Sequence, residues 1–216
     1  MGNINKSYIE DYIRTLVREK ENLKDIREYG EKNNVPIVHP EVAQLLKVLI
    51  EIKRPKLILE VGTAIGYSAM VMAGAMPDDG KIITIERNPE MVELAKKNIR
   101  DKGYSDKIEI REGEAEEILA EFDQKVDMAF LDGAKGRYQD FLAHILKNLE
   151  IGGVVVADNV LFKGMIANDD LVARRNKTIV KRMRSYLEQI SEDESLETSV
   201  VPIGDGVAIS YNRGGE

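Results

Sequence analysis

Cysteine is absent from the 216 residues. That excludes a disulfide partner, a thiolate metal site and a cysteine nucleophile together. Histidine is scarce, with His39 and His144 the only two. Chemistry must therefore come from carboxylates, amides, lysines, hydroxyls or those two imidazoles. No apolar run approaches the roughly 20 residues that cross a bilayer. The first twenty residues carry Glu10, Asp11 and Glu19 where a signal peptide would have an apolar core. The expectation is a soluble, cytoplasmic protein without membrane association. Positive charge is not in excess: the net charge of -7 argues against wholesale coating of nucleic acid, while leaving room for a local basic patch. The length suits one well-buried domain better than two. There is no internal repeat and no low-complexity segment.

Along the chain, residues 4 to about 29 read as one amphipathic helix, with Tyr8, Tyr12 and Leu16 recurring at i+4 and Gly30 ending it. The plain reading of that stripe is packing on the domain or on a partner subunit. A loop with Pro36 and Pro40 leads to a helix over Pro40–Lys53, with Pro40 in its first turn. Strand and helix then alternate. Strands are predicted at Leu57–Val61, Lys81–Glu86, 107–111, Val126–Leu131 and 152–157. Helices are predicted at 67–75, 89–102, 114–122, 138–149 and 169–190, and a closing pair of strands at 197–203 and 206–211. Repeated β-α units imply a parallel sheet with helices on both faces. The link between the closing strands is too short for both to be parallel, so the last is antiparallel. The chain is taken as one unit, 1–216, with a helical extension over 1–54 and an α/β core over 55–216.

The core opens on Lys-Leu-Ile-Leu-Glu-Val-Gly-Thr-Ala-Ile-Gly-Tyr-Ser at 56–68. A strand running into a glycine loop that starts a helix presents backbone to a nucleotide-like ligand. The spacing is G-x-x-x-G, with Glu60 two residues ahead of Gly62. It matches neither the dinucleotide fingerprint nor the phosphate loop, which counts against an NAD-dependent enzyme. In an open α/β sheet the ligand lies beyond the carboxyl ends of the strands, so the residues there are the candidates. Glu86 ends the second strand and can accept the two hydroxyls of a ribose; the bland alternative is a solvated charge beside Arg87. Gly113, Glu114 and Ala115 follow the third strand. Asp132 ends the fourth, and Asp158-Asn159 the fifth. These last are expected about one strand spacing apart, roughly 5 Å. Two carboxylates that close repel unless a cation lies between them. Two carboxylates and an amide oxygen form a hard-oxygen set suited to Mg²⁺ or another divalent hard cation. Lys135 follows three residues after Asp132. Beside a metal its ammonium is disfavoured, which suits a general base. Taken singly, each of these could be a cap, a turn or a solvated charge.

The glycine loop resembles the first motif of the S-adenosylmethionine-dependent methyltransferases, E-x-G-x-x-x-G. With Ile-Glu-Arg-Asn-Pro at 85–89, Leu-Asp-Gly-Ala-Lys at 131–135 and Ala-Asp-Asn at 157–159, the chain is similar to the metal-dependent O-methyltransferases of the catechol and caffeoyl-CoA type, from about residue 35 onward. The resemblance implies a Rossmann-like, class I methyltransferase sheet of seven strands, with extra helices at the N-terminus. It implies S-adenosylmethionine and Mg²⁺ as cofactors and a homodimer. The metal ligands would be Asp132, Asp158 and Asn159, and the base Lys135. Contacts to the methyl donor would come from Val38, Glu60, Gly62, Tyr67, Ser68, Glu86, Gly113, Glu114, Ala115 and Asp132. Within the family, Val-Pro-Ile-Val-His-Pro at 35–40 and Asp-Asn-Val-Leu-Phe-Lys-Gly at 158–164 resemble the bacterial branch that methylates 5-hydroxyuridine at the tRNA wobble position. So does the run from Arg174 to Arg184, six cations and no acid. There Arg174, Arg175 and Lys177 are the candidates for tRNA phosphate. The rival acceptor is a small catechol or an acyl-CoA ester. A binding module without chemistry is the reading from another class, and the intact Asp132, Lys135, Asp158 and Asn159 count against it.

Overall fold

The computed structural model of the protein describes residues 4–18 and 21–215. Its strands are β1 (Leu57–Val61), β2 (Lys81–Glu86), β3 (Ile108–Glu112), β4 (Val126–Leu131), β5 (Leu149–Ala157), β6 (Leu196–Val201) and β7 (Val207–Asn212). They form a single sheet in the order β3-β2-β1-β4-β5-β7-β6. The first five are mutually parallel, and β7 runs antiparallel to both β5 and β6. The expected architecture, including the antiparallel last strand, is the one observed. The strand order reverses between β1 and β4. That is the switch point where an open sheet leaves a crevice beyond its strand ends.

Among the described residues eight α-helices surround the sheet: α1 (Ser7–Leu16), α2 (Glu21–Lys32), α3 (Pro40–Lys53), α4 (Tyr67–Ala73), α5 (Pro89–Asp101), α6 (Ala115–Ala120), α7 (Tyr138–Asn148) and α8 (Lys177–Glu192). The central strands are apolar on both faces because both faces are covered. Side chains alternate across a strand. Ile58, Met128, Phe130 and Val156 therefore face one core layer, shared with α2 to α5. Leu59, Val61, Ala129, Leu131 and Val155 face the other, shared with α6 to α8. Helix α5 starts sharply because the Asn88 side chain accepts a hydrogen bond from the Glu90 N–H (2.9 Å) and Pro89 occupies the first turn.

Two helix expectations are corrected. The N-terminal helix is not continuous to 29: α1 closes at Val17, whose φ/ψ of -71°/126° is extended. The i+4 spacing of Tyr8, Tyr12 and Leu16 marks a surface stripe, each residue more than 60% exposed, and not a core face. The buried residues of α2 are Leu23, Ile26 and Gly30. Gly30 is not a helix stop. It lies inside α2, where a Cβ would meet Ile37 Cδ1 at 2.9 Å, so glycine there allows the following loop to pack close. The helix predicted at 169–190 begins only at Lys177. Before it, single 3-10 turns form at Asp169–Leu171 and Arg174–Asn176. The Asn168 side chain caps the first of these by accepting from Asp170 N–H (2.9 Å).

Helix α1 is pinned to α3 by one ion pair. Arg14 donates from Nε and Nη2 to the two Glu41 carboxylate oxygens, each at 2.9 Å. Burial alone would raise the Glu41 carboxyl, but the Arg14 hydrogen bonds and charge outweigh it and hold the group below its ordinary value. The pair therefore favours the docked helix at neutral pH, and that contribution fades as acid protonates Glu41. Among the described residues no helix is long and apolar enough to cross a membrane.

Candidate active site

The site forms at the switch point, where the loop after β1 meets the loop after β4. Gly62 has φ +106°, and a Cβ on it would lie 2.7 Å from the Gly133 nitrogen. The two loops touch backbone to backbone. Asp132 N–H and Gly133 N–H both donate to the Val61 carbonyl (3.0 and 2.9 Å), and Gly62 N–H donates to Ile85 O (3.0 Å). The Glu86 carboxylate at the end of β2 organises the neighbouring loops. Its Oε2 accepts from Ala64 N–H (3.0 Å), and its Oε1 from Arg87 N–H (3.0 Å) and Asn88 N–H (2.9 Å). It is not a free solvated charge. Gly62, Glu86, Gly113, Glu114 and Ala115 line one cavity of about 140 Å³, together with Gly133 and Ala134. Five of the residues expected to contact the methyl donor are thus brought together.

The others lie elsewhere around the same loop. Glu60 is fully buried below it. Its Oε2 accepts from Thr84 Oγ1 (2.5 Å). Because Thr84 spends its proton there, Thr63 Oγ1 donates to Thr84 Oγ1 (2.6 Å). Burial pushes the Glu60 carboxyl up to about 7, against the nearby Ser68 and Thr84 hydroxyls, and Glu86 adds to the rise. Glu60 Oε1 has no hydrogen-bond partner of regular geometry. Val38 and Tyr67 line a second, larger cavity of about 920 Å³ under the N-terminal helices, together with His39 and Lys163. The glycine loop stands between the two hollows, presenting Gly62 to one and Tyr67 to the other. His39 precedes α3, with its Nδ1 3.1 Å from Arg14 Nη2. His144 lies on α7.

Asp132 and Asp158 follow paired strand ends: Leu131 is in register with Ala157, and Asp158 N–H donates to Leu131 O (2.9 Å). Asp158 is 1% exposed. Its Oδ1 accepts from the Asn159 N–H (2.6 Å), whereas its Oδ2 has no partner. Asp132 keeps a partly accessible edge, but its carboxyl is enclosed by protein. Burial pushes Asp132 up to about 7, with Lys135 opposing and Glu60 adding to the rise. Burial also pushes Asp158 well above the carboxylate range, and the Asp132 charge pushes it further. The Lys135 charge acts favourably on both acids, so this lysine lies near enough to oppose their rise. Asn159 is buried in the left-handed region at φ +59°. Among the described residues no three or more His, Cys, Asp or Glu side chains gather as a metal cage. The chain brings two carboxylates together here, and Asn159 follows Asp158 directly, with its backbone N–H on the Asp158 carboxylate.

Three parts of the site had no signal in the sequence beyond turn or helix chemistry. Asp205, in the Gly-Asp-Gly turn before β7, accepts from Lys163 N–H (2.5 Å) and clasps the loop that carries Asn159. Burial raises its carboxyl. Tyr138, the first residue of α7, sends its hydroxyl back to the ends of β4 and β5. The Thr63–Thr84 relay under Glu60 joins two loops. Each includes a contact between residues 20 or more apart in the chain.

The cations of α8 and of the 3-10 turn before it differ in what they touch. Arg182 donates to Gly136 O (3.0 Å), tying the helix to the turn that carries Lys135. Arg184 donates to Ile166 O (2.9 Å) and to Asp169 Oδ1 (2.7 Å). Arg174, Arg175 and Lys177 are exposed and make no side-chain hydrogen bond or ion pair among the described residues.

Comparison with known proteins shows the family and the fold. The chain belongs to the O-methyltransferase family, whose model matches residues 14–213. It is 32% identical over 205 residues to caffeoyl-CoA O-methyltransferase 1 of Arabidopsis thaliana, covering 89% of this chain and 78% of that one. A solved structure of a proposed caffeoyl-CoA O-methyltransferase from Staphylococcus aureus superposes with a TM-score of 0.86 at 36% identity, covering 97% of this chain and 99% of the other. The tomaymycin-synthesis O-methyltransferase of Streptomyces achromogenes, solved with S-adenosylmethionine, gives 0.83 at 26% identity, with 96% of each chain covered. The fold is therefore the Rossmann-like methyltransferase fold, as the resemblance implied.

Proposed function

We propose that the protein transfers the methyl group of S-adenosylmethionine to one of two neighbouring oxygens on its acceptor, in a reaction that needs a divalent cation. The observation that carries this reading is the enclosed Asp132–Asp158 pair, which feels the Lys135 charge, at the loop that lines the cavity of Gly62 and Glu86. The residues fit such a cation: Asp158 Oδ2 is buried without a partner, and the donor set is hard oxygen. Asp132, Asp158 and Asn159 would hold it. Bound there, it would supply polarisation of an acceptor hydroxyl, lowering that group's pKa. Lys135 would take the proton, so that O–H is exchanged for O–CH₃ and S-adenosylhomocysteine leaves. Glu86 accepts the ribose hydroxyls of the methyl donor. The Gly113–Ala115 loop borders its adenine. Gly62 lets the donor approach the backbone, and Val38, Tyr67 and Ser68 flank its methionine part. The walls of the site exclude water and position the reactants.

For the acceptor, the reading is 5-hydroxyuridine at the tRNA wobble position, whose 5-hydroxyl and 4-carbonyl form a vicinal pair. Its support is the unpartnered Arg174, Arg175 and Lys177 at the start of the helix that Arg182 ties to the Lys135 turn. Reversal of those three to Glu is expected to abolish tRNA methylation and to spare turnover of a small catechol. Equal loss on both acceptors would sink the tRNA assignment. So would unchanged 5-methoxyuridine in tRNA nucleosides, read by mass spectrometry, from a strain lacking the protein. The second reading, a catechol or acyl-CoA acceptor, is favoured by the caffeoyl-CoA enzymes among the relatives.

The same reading gives the exposed Tyr8–Tyr12–Leu16 stripe of α1 to a second copy of the chain. Such a stripe is costly to leave in water. Tyr12→Glu is expected to shift sedimentation from dimer to monomer; a monomeric unaltered protein would refute the assignment.

A further inference from the structure

We infer that the Tyr138 hydroxyl is a positioning group that sets the two acids of the pair against each other. The inference rests on the metal reading above. Tyr138 is 1% exposed. Its hydroxyl shares one proton between two backbone carbonyls, Leu131 O at 3.0 Å and Asp158 O at 3.1 Å. Leu131 is the last residue of β4, immediately before Asp132. Asp158 immediately follows the last residue of β5. One phenol thus grips both strand ends at the points where the carboxylates emerge.

The need for such a grip follows from the rest of the site. The β4–β5 ladder reaches its end with Asp158 N–H donating to Leu131 O. One residue on, the Asp132 N–H turns away and donates to Val61 of β1. Asp132 and Asp158 therefore have no ladder bond between them to fix one against the other. Tyr138 supplies that link through the backbone. It uses no carboxylate lone pair and leaves Asp158 Oδ2 free for a ligand. A phenol is suited to the task because its single O–H can be shared between two carbonyl acceptors. The ring is itself fixed, edge to face with Tyr186 of α8 at 5.5 Å between centroids. Outer groups that orient metal ligands have this character, acting on affinity without touching the ion.

The test is Tyr138→Phe in the full chain, which keeps the ring and its packing on Tyr186. The probe is Mn²⁺, followed by the free-ion electron paramagnetic resonance signal. S-adenosylhomocysteine affinity is measured in parallel. The expected result is a Mn²⁺ dissociation constant raised about 10–100-fold, with S-adenosylhomocysteine affinity unchanged within about twofold. A purely structural role would loosen both sites alike, so an equal loss on both ligands overturns the inference. Unchanged Mn²⁺ affinity overturns it as well. Tyr186→Phe is the companion variant: it removes a buried hydroxyl that has no partner and should leave Mn²⁺ binding as it was. A Mn²⁺ loss there equal to that in Tyr138→Phe would assign the effect to general core packing. Failure of the unaltered protein to bind Mn²⁺ would remove the metal reading itself, which separates that failure from this one.

Discussion

Asp158→Asn is expected to lose methyl transfer by about 10³-fold while binding S-adenosylhomocysteine as tightly as the unaltered protein. The expected loss exceeds the roughly 10–100-fold that attends removal of an outer metal partner, because Asp158 is proposed as a direct ligand. The substitution is isosteric, so Oδ1 can still accept from Asn159 N–H and only the charge goes. Binding of the donor is spared because its cavity is lined from Gly62, Glu86 and Gly113, not from Asp158. Turnover should vanish in EDTA and return with Mg²⁺. Full activity of the variant, or of the unaltered protein in EDTA, would end the metal mechanism.

The same variant should be more stable when no metal is present. Asp158 is pushed well above the ordinary carboxylate range by burial and by Asp132. An acid whose folded pKa is raised holds its proton more tightly folded than unfolded. Below about pH 4 both states keep the proton and nothing is lost. As pH climbs from there towards the folded value, the unfolded chain ionises first and gains, so the folded state loses stability. The neutral amide of the variant would carry no such penalty. In EDTA at pH 8 the variant is expected to melt about 3–6 °C higher, corresponding to about 1–2 kcal/mol, with the gap closing towards pH 4. With saturating Mg²⁺ the order should reverse, because only the unaltered protein gains from binding. A variant that melts lower in EDTA at pH 8 would mean that the pair is not strained.

How much of this was legible in the sequence depends on the range of the contacts involved. Strands β1, β2 and β4 could be read to the residue because each is an apolar run bounded by charge or glycine. Strand β5 is longer than read, starting at Leu149, because a register shift between Val126 and Met128 lets Leu149 pair with Val126. Tertiary pairing of this kind has no local signal. The acids at strand ends were legible because topology alone places β4 beside β5. The separation of Val38 and Tyr67 from Glu86 was not, since it depends on how the glycine loop divides the two cavities. Asp205 read as an ordinary turn residue. Its clasp on Lys163 joins residues 42 apart in the chain.

The Gly62→Ala substitution tests the other half of the site, and its expected effect is on the fold itself. Alanine at φ +106° is strained wherever it occurs. Here the added Cβ would also sit 2.7 Å from Gly133 N, 2.9 Å from Gly133 Cα and 3.1 Å from the Asp132 carbonyl carbon. These are backbone atoms, so no rotamer change relieves the contact. Relief requires separating the loops after β1 and β4, against the hydrogen bonds from Asp132 and Gly133 to the Val61 carbonyl. The combined strain is expected to cost about 3–5 kcal/mol, seen as a fall of about 10–15 °C in the melting temperature. Any folded fraction should bind S-adenosylhomocysteine at least about tenfold more weakly, because the displaced loops line its cavity. Gly103→Ala provides the comparison. Gly103 also has positive φ, at +78°, but nothing lies within 4 Å of its would-be Cβ. That variant should lose only the about 1–2 kcal/mol of left-handed backbone strain and keep full ligand affinity. Equal destabilisation by the two substitutions would show that backbone strain alone requires glycine at 62. The contact between the β1 and β4 loops would then not be what joins the donor cavity to the acidic pair.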